Sequence, residues 1–197
     1  MSSAARAERR RQARAAAKLP AEVEGLRLVY QRDDGDCLRG AIATVLGTRY
    51  EDTAAADGYA PDEARELWRA WADARGLIMR QYLTHAPAFL DEPWIAVVRG
   101  HAAPHAVVMR RGRMIFNPSP GSPQQAFGRR DVLASMLVGD PAWVTATSER
   151  MLALIRQGSP LVWTLDNQHA VAWHRAHGRE LDARAMERRL STKGLAA

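Results

Sequence analysis

Residues 31–47 read QRDDGDCLRGAIATVLG, and Cys37 within them is the one cysteine among 197 residues. From Cys37 onward the apolar side chains Leu38, Ala41, Ile42, Val45 and Leu46 recur every three or four positions. That period marks one face of a helix, and Gly47 marks its end. Asp34 or Asp36 is placed to cap this helix, which puts the thiol in its first turn. A helix N-terminus favours a thiolate, because unpaired N–H groups and the dipole attract negative charge there. The neighbouring acids oppose it, so a basic partner is also required. Without one, Cys37 is an inert buried thiol.

After Pro93 the apolar period changes to two. Residues 94–99 (WIAVVR), 105–109 (HAVVM) and 113–117 (RMIFN) read as three strands, the last two joined by Arg110-Arg111-Gly112. With Arg111 at the centre of a three-residue turn, His105 faces Asn117. Histidine can take a thiol proton and return it to a leaving group, and an amide beside the imidazole fixes its tautomer. An acyl-transfer site also needs donors for a developing oxyanion. The Cys37 N–H is one, and the side-chain amide of Gln31, six residues before the thiol, is the other.

A Gln, an acidic-Cys pair opening an apolar helix, a His-Ala-Val strand and an Asn-Pro hairpin end, in that order, resemble the papain-like cysteine peptidases. The nearest branch is the bacteriocin-processing peptidase domains of ABC exporters, and small phage-encoded proteins of the same fold are also similar. The resemblance spans about residues 26–120. It implies an α+β fold in which a helical half, led by the Cys37 helix, packs on an antiparallel sheet. It also implies Cys37 as nucleophile, His105 as general base, Asn117 as its orienter and Gln31 as oxyanion donor. Leu38-Arg39 departs from the pattern, since exporter peptidases carry Gly and a small residue after the thiol. No transporter accompanies the chain, so the leader-peptide substrate of that branch is not implied.

A second helix fits residues 61–76, with Pro61 early, Trp68 and Trp71 on one side and Gly76 at the end. Residues 77–83 (LIMRQYL) read as a strand, 131–139 (DVLASMLVG) as a helix and 148–158 (SERMLALIRQG) as another. Residues 160–185 (PLVWTLDNQHAVAWHRAHGRELDARA) look like a weak repeat of 93–119, with strand, His-Ala-Val, turn and strand. His169 is thus a rival to His105, with Asp182 in the place of Asn117. His169, His174 and His177 lack the acids or second thiol of a zinc site. No cofactor or metal is expected, and the six tryptophans read as core. The expected units are a basic arm over 1–20, a catalytic domain over 21–147 and an extension over 148–197.

The net charge of +6 is concentrated at the N-terminus: residues 1–18 hold six basic residues and one acid, leaving +1 for the rest. Such an arm can contact nucleic acid or an acidic surface through charge alone, or it is a frayed, solvated terminus. One cysteine excludes an internal disulfide. The absence of a long apolar run argues against a membrane span, and the charged N-terminus against a secretory signal. A cytoplasmic protein, or one carried in a virion, is expected. Three readings follow: a peptidase acting on peptide or protein substrates, an amidase or acyltransferase with the same residues, and a non-catalytic papain-like module that binds a phage or host partner.

Overall fold

A computed structural model describes residues 20–32, 35–56, 59, 61–100, 104–119, 127–176, 178 and 180–191. Residues 1–19 of the basic arm, Asp34 and His177 lie outside the described residues. After a two-residue hairpin, β1 (Glu22–Val23) and β2 (Leu26–Arg27), the chain forms α1 (Cys37–Leu46) and α2 (Pro61–Asp73). Then come β3 (Ile78–Tyr82), β4 (His85–Ala86), β5 (Trp94–Arg99), β6 (Pro104–Arg110), β7 (Arg113–Phe116) and β8 (Val132–Gly139). The remainder is α3 (Pro141–Arg156), β9 (Trp163–Thr164), α4 (Asn167–Ala176) and α5 (Glu180–Ser191).

The main sheet has the order β3-β8-β5-β6-β7, and every neighbouring pair is antiparallel. The fold is therefore α+β. On one face, Cys37, Ala41 and Ile42 of α1 and Trp68 of α2 meet Ile95, Ala106, Val108, Phe116, Met136 and Val138. On the opposite face, Val144 of α3 joins Trp94, Ala96, Val98, Val107, Met109 and Leu137. Each fully buried aliphatic side chain in these layers, Ile42 and Leu137 among them, contributes about 1.5–3 kcal/mol. A third cluster sets Ala170 and Val171 of α4 and Ala183 and Met186 of α5 against Leu83, Leu133 and Ala134.

Residues 132–139 form an interior strand rather than part of the expected helix. All eight residues of β8 are buried. A strand covered on both faces carries apolar side chains at nearly every position, here all but Ser135 and Gly139, so it lacks the two-residue period that separates strand from helix. The following residues also differ from expectation. Asp140 caps α3 by accepting from the N–H groups of Ala142 (2.8 Å) and Trp143 (3.2 Å), with Pro141 at the first helical position. The helix then runs unbroken to Arg156, so the boundary expected at 147/148 falls inside it.

The second His-Ala-Val is not a copy of the first. Residues 169–171 lie on α4, and Asp182 lies on α5, with no hairpin between them. The side chains of His169 and Asp182 lie outside the described residues. The true hairpin also differs in register. Arg110 pairs with Arg113 around a two-residue turn, Arg111-Gly112, whose φ values of 49° and 68° are both left-handed. This is the type I′ arrangement that matches strand twist. A register shift between Val108 and Met109 then brings Val108 opposite Phe116.

Candidate active site

Cys37 is the first residue of α1, and its side chain is buried. Asp36 precedes it but does not cap the helix with its side chain. The Asp36 carboxylate, 1% exposed, instead accepts the Arg32 N–H at 3.3 Å. Its carbonyl accepts from the N–H groups of Arg39 and Gly40. The expected capping role of Asp36 is thus replaced by a tie between the helix start and the segment carrying Gln31.

Cys37 Sγ accepts a hydrogen bond from the Ala106 N–H at 3.3 Å. Ala106 lies in β6 beyond Val108–Phe116, the last paired residues of the β6–β7 ladder. Burial pushes the thiol pKa up, and the Asp36 carboxylate pushes it the same way. The N–H groups of Ala106 and Leu38 pull it down, but burial prevails. The resting group is therefore a thiol, not the thiolate that a helix N-terminus alone would favour. Among the described residues it makes no hydrogen bond to the His105 ring.

His105 Nε2 lies 2.6 Å from Asn117 Oδ1. Asn117 Oδ1 also accepts the Ser119 N–H at 2.9 Å. A backbone N–H can only donate, which identifies that atom of the amide as its oxygen. His105 Nε2 must then carry a proton to donate, so in the neutral ring Nδ1 holds the lone pair. This is the tautomer in which Nδ1 can act as a base.

Gln31 is held by its backbone, whose N–H donates to Pro118 O at 2.9 Å. Its side-chain Oε1 is buried and accepts no hydrogen bond among the described residues. Neighbouring Arg32 pairs with Glu51 and lies over the Tyr50 ring, 4.6 Å from its centroid. The chain thus brings Gln31 against the Asn117–Pro118 corner, and Cys37 against the strand that carries His105. The sequence presents Ala106 and Pro118 only as neighbours within the His-Ala-Val and Asn-Pro motifs, without the contacts they make, and it assigns Gly40 no role. Gly40 did leave a signal, as a glycine inside an apolar helix pattern, where it costs about 1 kcal/mol against alanine unless something approaches closely.

A groove of about 590 Å³ starts at Leu38 and Pro104, the chain neighbours of Cys37 and His105. Trp68, Met79, Val97, Met136 and Met186 of α5 also line it. Among the described residues no group of three His, Cys, Asp or Glu is placed to hold a metal ion, and no helix is long and apolar enough to cross a membrane.

No family model matches the chain, and no curated protein matches it. Two solved structures are similar to it, and both are peptidase domains. The peptidase domain of Streptococcus ComA, a bi-functional ABC transporter involved in a quorum-sensing pathway, is 20% identical with a TM-score of 0.41. The match covers 57% of this chain and 97% of that one. The peptidase domain of Streptococcus mutans ComA is 19% identical with a TM-score of 0.38, covering 57% of this chain and 98% of that one. What the site can do chemically follows from its own side chains.

Proposed function

We propose that this chain is a thiol hydrolase of papain-like arrangement, acting as a peptidase through a thioester on Cys37. One observation carries the reading: Asn117 fixes the His105 ring with Nδ1 as its lone-pair atom, while the next residue of that strand, Ala106, donates to Cys37 Sγ. The missing thiol–imidazole hydrogen bond is one that a substrate-free site commonly forms only on binding.

In this mechanism His105 Nδ1 takes the Cys37 proton as Sγ attacks the carbonyl carbon, and the carbonyl electron pair moves onto oxygen. The Cys37 N–H and the Gln31 amide hold that oxyanion. Collapse restores the C=O bond and breaks the C–N bond, and the leaving amine takes the proton from the imidazolium. Water, deprotonated by Nδ1, then attacks the thioester carbon. Collapse breaks the C–S bond, and the leaving sulfur regains its proton from the ring. An amine acceptor in place of water would make the same site an acyltransferase.

A small activated ester tests the chemistry without a known substrate. Wild-type protein treated with p-nitrophenyl acetate is expected to release nitrophenolate in a burst and to gain one acetyl group on Cys37, seen by intact mass. His105→Ala should lose the burst. An acetylation rate equal in wild type and His105→Ala would defeat the reading. One specific observation favours the second reading, a non-catalytic binding module: burial pushes the thiol pKa up, as it does for inert structural cysteines. That module would give no burst in either protein.

A further inference from the structure

We propose that Gly40 is a positioning residue for this site, and that its missing Cβ sets where Gln31 and Asn117 stand relative to Cys37. The proposal rests on the thiol-hydrolase reading above. A Cβ built on Gly40 would lie 2.7 Å from Val29 O, 3.0 Å from Pro118 Cβ and 3.2 Å from Gln31 N. Three pieces of chain therefore meet at one point on α1. They are the helix that begins with the thiol, the segment that ends in Gln31, and the corner that contains Asn117.

The pieces are also tied to one another. Val29 N–H donates to Thr44 Oγ1 at 2.9 Å, one helical turn beyond Gly40, and Thr44 is fully buried. Gln31 N–H donates to Pro118 O at 2.9 Å. Residues 28–31 follow β2 and belong to no strand, so the N–H groups of Val29 and Gln31 depend on these ties for partners.

Which part would move is decided by what backs each one. Behind α1, Ala41 and Ile42 are fully buried and pack in one cluster with Ile95, Ala106 and Val108 of the sheet. The helix has no room to retreat, because packed interiors yield little. A side chain at position 40 would push residues 29–31 outward, and the bond to Pro118 would carry the Asn117 corner with them. Cys37 and Ala106 would stay in place. The displacement would spoil the oxyanion donor and the orienter of His105 together, while leaving the nucleophile where it is. A glycine in mid-helix is otherwise the poorer choice, so the close approach is what requires it.

The lone cysteine makes the test direct, because iodoacetamide can label one thiol only. Alkylation rates are measured against pH for wild type, His105→Ala and Gly40→Ala, with thermal melts for each. In wild type, the rate should include a contribution below the free-thiol range that His105→Ala removes, leaving only the rise with thiolate fraction that any cysteine shows. Gly40→Ala should melt cooperatively, yet follow the His105→Ala profile and lose about 10- to 100-fold of the His105-dependent rate. Val144→Ala, in the cluster on the far face of the sheet, supplies a destabilised control that should keep the wild-type profile.

A folded Gly40→Ala with the wild-type profile would overturn the proposal and leave the thiol-hydrolase reading intact. Identical profiles for wild type and His105→Ala would overturn both. If Gly40→Ala does not fold, Thr44→Val replaces it, since it releases Val29 without adding a heavy atom. That variant should shift the profile in the same direction, and an unchanged profile would overturn the proposal.

Discussion

Asn117 Oδ1 and His105 Nε2 are 2.6 Å apart, although their strands have stopped pairing one residue before Asn117. The contact is made by side chains alone, and the second bond to that oxygen, from the Ser119 N–H, comes from the loop that follows. The orientation of the imidazole therefore depends on where the chain turns after β7.

Replacing the amide by a carboxylate keeps the acceptor and adds a negative charge. Asn117→Asp should therefore keep most of the nitrophenolate burst, whereas Asn117→Leu, which removes the acceptor facing His105 Nε2, should lose most of it. Equal bursts in the two variants would mean that Asn117 does not orient His105.

The buried thiol makes a separate prediction about stability. A free thiol titrates near ~8.5, and burial raises the pKa of Cys37 above its ordinary value. Below the unfolded pKa both states keep the proton, and the thiol adds no pH dependence. Above it the unfolded chain ionises first, so stability is lost as pH rises toward the folded pKa. Urea midpoints should consequently fall more between about pH 8 and 10 in wild type than in Cys37→Ser. The reverse ordering would signal a stabilised thiolate at rest.

Leu137 is fully buried in β8, in one cluster with Val144 of α3 and away from the Cys37 cluster. Leu137→Ala should cost about 2–5 kcal/mol, read from urea unfolding, with little change in the alkylation of Cys37. A comparable loss of thiol reactivity would mean that the two faces of the sheet are coupled.

Ending the chain after Thr147 should not free an independent catalytic domain. It cuts α3 in mid-helix and removes Met151, Leu165, Ala170 and Ala183, all buried. The shortened chain is expected to lose its cooperative melt. A sharp transition near that of the full chain would show that the last fifty residues are dispensable for folding.

The sequence was most legible where one side of an element is wet or a turn is distinctive. The α1 pattern ends at a left-handed Gly47, and β5, β6 and β7 form where the two-residue period put them. The pairing of His105 with Asn117 was expected from a three-residue turn. The turn has two residues and the ladder a bulge, and the contact forms because the side chains reach beyond the ladder's end. β8 was illegible because burial on both faces erases its period. The second His-Ala-Val misled because three residues carry too little pattern to tell a strand from the helix they belong to. Gly40 could be noticed but not interpreted, since its neighbours at Val29 and Pro118 are far away in sequence.

The position of β8 has a consequence for how the molecule is made. It enters between β3 and β5, so that Ile78 waits for Gly139 and Ile95 for Met136. Until then a growing chain can assemble only the β5–β6–β7 meander, with a bare edge on β5 and β3 unattached to it. Non-local pairings of this kind are slow, and unpaired edges invite association with other chains. The wall behind Cys37 includes Met136 and Val138, so it is incomplete until β8 pairs. A nascent chain that pauses before residue 132 already holds Gln31, Cys37, His105 and Asn117. It has every candidate reagent but only part of the wall they stand against.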